Sequence, residues 1–120
     1  MFGLSATNIY WLYESPTDMR KSFDGLSGLV TNRLCRNPLS GEVFLFINKR
    51  RDKLKLLQWQ PGGFVLYYKR LESGTFEQLS VAGGAVSRPL RWSELAMLIE
   101  GITIENTKKR KRYLSPLKCG

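Results

Sequence analysis

Residues 43–70 read VFLFINKRRDKLKLLQWQPGGFVLYYKR. Three runs rich in apolar, β-branched and aromatic residues are separated by two turns. The stretch therefore predicts strands near Glu42–Ile47, Lys53–Trp59 and Phe64–Arg70, paired antiparallel because the connections are short. Gln60-Pro61-Gly62-Gly63 supplies the proline and glycines that reverse a strand. The other turn, Asn48-Lys49-Arg50-Arg51-Asp52-Lys53, is almost pure positive charge. Three consecutive cations at a hairpin tip cannot enter a core; they stand in water or meet an anion. In the second strand Lys53, Lys55, Leu57 and Trp59 point one way and Leu54, Leu56 and Gln58 the other. In the third, Phe64, Leu66 and Tyr68 oppose Val65, Tyr67 and Lys69. One face is expected to pack on a helix, and the other, mixing aromatics with lysine, to be only partly buried.

Working outward, Asn8–Tyr13 (NIYWLY) predicts a first strand that stops at Ser15-Pro16. Met19, Phe23, Leu26, Val30 and Leu34 then recur at the spacing of an amphipathic helix, with Thr17 or Asp18 as its cap and Asn37-Pro38 as its end. Gly25 and Gly28 weaken that helix by ~1 kcal/mol each relative to alanine, and close approach of the sheet or of another partner would account for them. Glu72–Thr75 reads as a turn and Leu79–Pro89 as a Gly-rich flexible loop. A short helix capped by Ser93 follows, with Leu95, Leu98 and Ile99 apolar, Trp92 stapling its start and Gly101 ending it. The fold class is α+β: a small, mainly antiparallel sheet of about four strands, one longer helix packed on one face, and a short C-terminal helix. Residues 1–107 are expected to form one domain and 108–120 a basic, disordered tail.

A domain of 120 residues buries roughly two-thirds of its unfolded surface and needs no disulfide staple. Cys35 and Cys119, with no histidine in the chain, make poor material for a zinc site and fit a reducing cytoplasm. No apolar run approaches the ~20 residues that span a bilayer. The N-terminus lacks the basic and apolar regions of a secretion signal. Charge is the compositional signal: 19 Lys and Arg against 10 Asp and Glu, a net charge of +9. Lys108, Lys109, Arg110, Lys111, Arg112 and Lys118 lie in a terminal segment without acids, and Lys49–Lys55 is the second cluster. Clustering of this kind is the electrostatic footprint of nucleic-acid binding.

Catalytic chemistry is missing. The absence of histidine removes the commonest general base and metal ligand. An acidic-triad nuclease needs three carboxylates converging on two metal ions. On one helix Asp18 and Asp24 diverge by about 120°, and Asp52 sits among cations as a turn residue. No phosphate-binding or dinucleotide glycine motif occurs. Tyr67 and Tyr68 read as core or platform aromatics rather than nucleophiles. No cofactor and no catalytic activity are expected.

Four segments in order, DMRKSFDGLSGLV, SGEVFLFINKRRDKLKLLQW, GGFVLYYKRLESGTF and ELAMLIEGI, resemble the insertion-sequence-66 family of bacterial transposition accessory proteins, called TnpB in those elements. The RNA-guided nuclease that shares the label is a different, much longer protein with acidic catalytic residues and a cysteine zinc site. The resemblance implies an accessory role in DNA transposition beside a separate transposase, and a place in the bacterial cytoplasm.

Charge and resemblance together nominate a nucleic-acid surface comprising Lys49, Arg50, Arg51, Lys53, Lys55, Arg20, Lys21, Lys69, Arg70 and the tail Lys108, Lys109, Arg110, Lys111 and Arg112. At the hairpin the competing reading is a solvated tip that discourages edge aggregation. Arg20 and Lys21, placed at a helix start against its dipole, imply either an ion pair with Asp18 or Asp24 or an anionic partner. Trp59, Tyr67 and Tyr68 are either core or a stacking platform. Trp92, Leu95, Leu98 and Ile99 are nominated as a docking patch for the transposase or a second accessory protein. The alternative function is a protein–protein adaptor for the transposase that never touches DNA.

Overall fold

The VFLFI run becomes the middle strand of an open five-stranded sheet in a computed structural model that describes residues 3–101. In chain order the elements are β1 (Tyr10–Tyr13), α1 (Phe23–Asn32), β2 (Val43–Ile47), β3 (Lys53–Gln60), β4 (Gly63–Arg70), β5 (Ser87–Leu90) and α2 (Trp92–Glu100). The strands lie in the order β4-β3-β2-β1-β5. The predicted meander β2–β3–β4 is antiparallel throughout, with Leu45 opposite Leu56 and Leu57 opposite Leu66. β1 runs parallel to β2, the geometry that the intervening α1 crossover permits, and β5 pairs antiparallel with β1 at the far edge. The chain is thus α+β with one parallel pair and a fifth strand beyond those expected.

Both faces of the sheet are covered, which corrects the expectation of one half-open face. Tyr13, Phe44, Phe46 and Leu57 bury against Leu26 and Val30 of α1. Tyr10, Leu12, Val43, Leu45, Leu54 and Leu56 bury against Leu95, Leu98 and Ile99 of α2. The reason is β2 itself: Val43, Phe44, Leu45 and Phe46 are all fully buried, so apolar side chains leave both faces of the strand and each needs a layer over it. Leu71, Phe76 and Leu79 complete the α2-side core, in a segment whose sequence suggests only turns.

The Leu79–Pro89 segment is not wholly loop, since Ser87–Leu90 is β5. Pro89 pairs with Trp11 at the sheet edge, where a residue with no N–H to donate is tolerated. α1 starts at Phe23, later than expected. Thr17 instead gives its amide to the Ile47 carbonyl at 2.9 Å, and Asp18 closes a turn onto the Arg20 amide at 2.9 Å. Arg20 and Lys21 therefore precede the helix and do not oppose its dipole, while Asp24 sits favourably in its first turn. α2 begins at Trp92, so Ser93 lies inside it. The cap is Arg91, whose amide donates to Glu94 at 3.0 Å. Gly101 ends α2 as expected, at φ 86 with its amide on the Met97 carbonyl.

Nothing packs closely on the α1 glycine at position 28: a Cβ there meets no atom within 4 Å. Gly28→Ala is accordingly expected to raise the unfolding free energy by about 0.4–1 kcal/mol through loss of unfolded-state freedom. Urea unfolding measures this, and a destabilised variant would show that the helix carries a constraint not visible in its packing.

Candidate nucleic-acid groove

Asn48 organises the basic hairpin tip. Its Oδ1 accepts from the amides of Asp52 and Lys53, both at 3.0 Å, and its Nδ2 donates to the Asp52 carboxylate at 2.7 Å. An asparagine opening a turn satisfies the local backbone in this way, and Arg51 takes the left-handed conformation that the tip requires, at φ 58. The segment after β4 braces the tip from behind. The Leu71 amide donates to the Asp52 carbonyl and the Phe76 amide to the Arg51 carbonyl, each at 2.7 Å. The loop is therefore a fixed platform, and Asn48, its organiser, was legible only as a turn residue.

In front of the tip lies a groove of about 540 Å³ lined by Pro16–Arg20 on one side and Asn48, Lys49, Arg50 and Lys53 on the other, with Tyr68 among the lining residues. The structure thus brings Arg20 to the hairpin cations from about thirty positions earlier in the chain. Arg20 and Asp18 form an exposed ion pair at 2.6 Å. This is the ion-pair alternative raised by the sequence, and the Arg20 hydrogen bonds hold the Asp18 carboxyl down at about 2. Lys49, Arg50 and Lys53 form no side-chain hydrogen bond or ion pair among the described residues. Lys53 stands opposite Arg70, and Lys55 opposite Tyr68, on the α1 face of the sheet. Arg70 is paired with Glu72 at 2.8 Å yet stays mostly exposed. A second trough of about 760 Å³ shares Pro16, Asn48 and Lys49 with the groove and continues past Arg51 to the Glu77–Val86 segment. Arg51 belongs to that side, its Nη1 donating to Gln78 at 3.3 Å.

Several nominated residues have other work. Lys55 is 5 % exposed, and its ammonium donates to the carbonyls of Met19 and Lys21, both at 2.7 Å. It ties the Pro16–Arg20 wall to β3 and is not available to a phosphate. Burial lowers its pKa, opposed by the nearby Asp18 charge. Lys69 alternates to the opposite face and reaches the Ile99 carbonyl at 3.4 Å, near the end of α2, where a cation suits the dipole. Lys21 is exposed but does not line the groove. Leu95, Leu98 and Ile99 are core residues, and Trp92 is half-buried against Tyr10 with ring centroids 6.0 Å apart. These four cover the sheet and cannot form an outward docking patch; the apolar stripe that suggested one is the stripe α2 buries. Tyr67 is half-buried on the α2 face and Trp59 packs edge-on against Phe64 at 5.1 Å, so of the three platform candidates Tyr68 alone lines the groove. The basic run Lys108–Arg112 lies outside the described residues.

A cluster at the β1–β2 end of the α1 face has no signature in the sequence. Arg36 stacks on Trp11 at 3.8 Å and pairs with Glu42 at 3.3 Å. Burial alone would raise the Glu42 carboxyl, but hydrogen bonds from Arg36, Trp11 and Ser40 prevail and lower it. This cluster closes the α1 connection and presents no free charge. Among the described residues no group of three or more His, Cys, Asp or Glu is placed to hold a metal ion, and no helix is long and apolar enough to cross a membrane.

The class of protein to which the chain belongs is set by comparison with known proteins: an accessory protein of insertion-sequence transposition. The chain belongs to the IS66 Orf2-like family, whose model matches residues 8–109. Among curated relatives, the uncharacterized protein y4jC of Sinorhizobium fredii (strain NBRC 101917 / NGR234) is 34% identical over 95 residues, covering 79% of this chain and 80% of its own. The uncharacterized protein y4hO of the same organism is 34% identical over 111 residues, covering 92% and 91%. No solved structure matches the chain significantly.

Proposed function

We propose that this accessory protein is non-catalytic and holds the DNA of its element through phosphate contacts in the groove between Pro16–Arg20 and the hairpin tip. The observation that carries the reading is the convergence on one groove of Arg20 with Lys49, Arg50 and Lys53, which have no side-chain partner among the described residues. Uncompensated cations fixed on a rigid turn are suited to backbone oxygens, which position a protein on DNA without reading sequence. Arg70 extends the cationic rim, and the Lys108–Arg112 run adds sequence-independent attraction. The transposase supplies the chemistry.

Fluorescence anisotropy of labelled element-end duplex, titrated with the full chain over a salt series, tests this. Lys49→Glu with Arg50→Glu is expected to weaken binding at low salt by at least about tenfold. It should also make the slope of log K against log salt shallower by about 1.8, the value for two phosphates no longer neutralised. Because both proteins carry the same tail, the difference reports the groove. Unchanged affinity in the double variant, with transposase pull-down abolished, would replace this reading by the adaptor that meets an acidic surface of the transposase.

A further inference from the structure

The groove contains a feature that phosphate binding does not use. Tyr68 is 50% exposed, the sixth residue of the edge strand β4. It lines the same groove as Arg20, Lys49, Arg50 and Lys53. Its partner across the sheet, Lys55, places an ammonium over the ring at 4.6 Å from the centroid. That ammonium is itself fixed by the Met19 and Lys21 carbonyls. One face of the ring is thus capped and its position set, while half of its surface stays exposed. An exposed aromatic held rigidly by a cation beneath it loses little freedom when a flat group stacks on it. The groove volume of about 540 Å³ is within the range of small-ligand sites, so a duplex meets it only with backbone phosphates at the rim. Bases inside B-DNA are already stacked and paired, so they offer this ring no face; an unpaired base does.

We infer that the groove takes unpaired DNA, with one nucleobase stacked on the open face of Tyr68 and the flanking phosphates on Lys49, Arg50 and Lys53. This rests on the groove being a DNA site and adds the form of DNA it prefers. Alternating cations and an aromatic platform are what sequence-tolerant single-strand binding requires, because every base has a π-face. The element-end DNA would then be held where its strands are separated, a state a transposition reaction creates when ends are opened or cut.

The test uses the full chain, a fluorescein-labelled mixed-sequence 12-mer as single strand and as duplex, and the same strand carrying one 2-aminopurine. Tyr68→Ala is expected to weaken single-strand binding by about tenfold and duplex binding by less than about twofold. Tyr68→Trp is expected to bind the single strand at least as well as wild type. Quenching of 2-aminopurine by the wild-type chain should vanish in Tyr68→Ala. Tyr68→Leu keeps apolar bulk over Lys55 without an aromatic face, and it should behave as alanine does even where alanine disturbs the fold. Wild-type affinity for the single strand in both Tyr68→Ala and Tyr68→Leu, or equal losses on both DNA forms, would overturn the stacking inference while leaving phosphate binding intact. Failure of Lys49→Glu with Arg50→Glu to affect either probe would instead remove the DNA reading on which it stands.

Discussion

Phe76→Ala is expected to lower the unfolding free energy by about 3–5 kcal/mol and the melting temperature by about 12–20 °C, enough to leave the domain marginal. Phe76 is fully buried with Leu71, Leu79 and the α2 side chains, so its removal opens a cavity in a core that relaxes only in part. The loss should extend to the hairpin, because the Phe76 amide is bonded to the Arg51 carbonyl. Hydrogen exchange should therefore show the amides of Asn48–Lys53 opening together with those of residues 71–79. Gln78→Ala, which removes only the exposed bond to Arg51, is the control and should cost less than about 0.5 kcal/mol. A Phe76→Ala chain within 1 kcal/mol of wild type, by the same denaturation (about one-tenth of a typical total), would mean that this segment does not brace the core.

Lys55→Ala comes next in size, at about 2–4 kcal/mol, from the loss of two charge-assisted hydrogen bonds set against the cost of burying the ammonium. Lys55→Met separates the contributions: it retains the apolar stem but donates to neither carbonyl, so it should recover the packing share and not the hydrogen-bonding share. Both variants should free the Pro16–Arg20 wall and weaken single-strand DNA binding, although Lys55 itself touches no phosphate. Burial depresses the Lys55 pKa, so in alkaline solution the unfolded chain binds more protons than the folded one. Its contribution to stability therefore rises as pH climbs from the folded toward the unfolded pKa, and is at its least favourable below both. Wild type and Lys55→Met unfolded in urea across that window should differ in slope with pH. Parallel curves would mean that the ammonium is as well solvated in the fold as in the open chain.

The meander was legible because β2, β3 and β4 are rich in aliphatic, β-branched and aromatic residues and their turns carry proline, glycine or asparagine. The helices were legible from their apolar spacing. What escaped were features that depend on partners distant in sequence. β5 is four residues long, contains Pro89 and becomes a strand only because β1 offers it an edge. Leu71, Phe76 and Leu79 lack any periodicity and are buried only because the chain returns them to the α2-side core. The candidate site divided in the same way. Lys49, Arg50 and Lys53 were identifiable as cations on a turn, which cannot be buried. Lys55 and Lys69 were not distinguishable from them, because a lysine ammonium finds backbone carbonyls only once Met19, Lys21 and Ile99 are placed. Leu95, Leu98 and Ile99 show the converse error, since a stripe of three apolar residues looks the same whether it faces a partner or its own sheet.

β1 precedes the other described strands in the chain, yet it stands between β2 and β5, so one of its two neighbours arrives only with Ser87–Leu90. Closing that loop is an entropic cost met late, and a topology weighted toward distant pairings folds slowly. During synthesis, from the moment β2 has docked until β5 is released, the outer side of β1 is a bare row of amides and carbonyls. A neighbouring nascent chain could add a strand there. Among the described residues, the last strand is also the cap that closes the first.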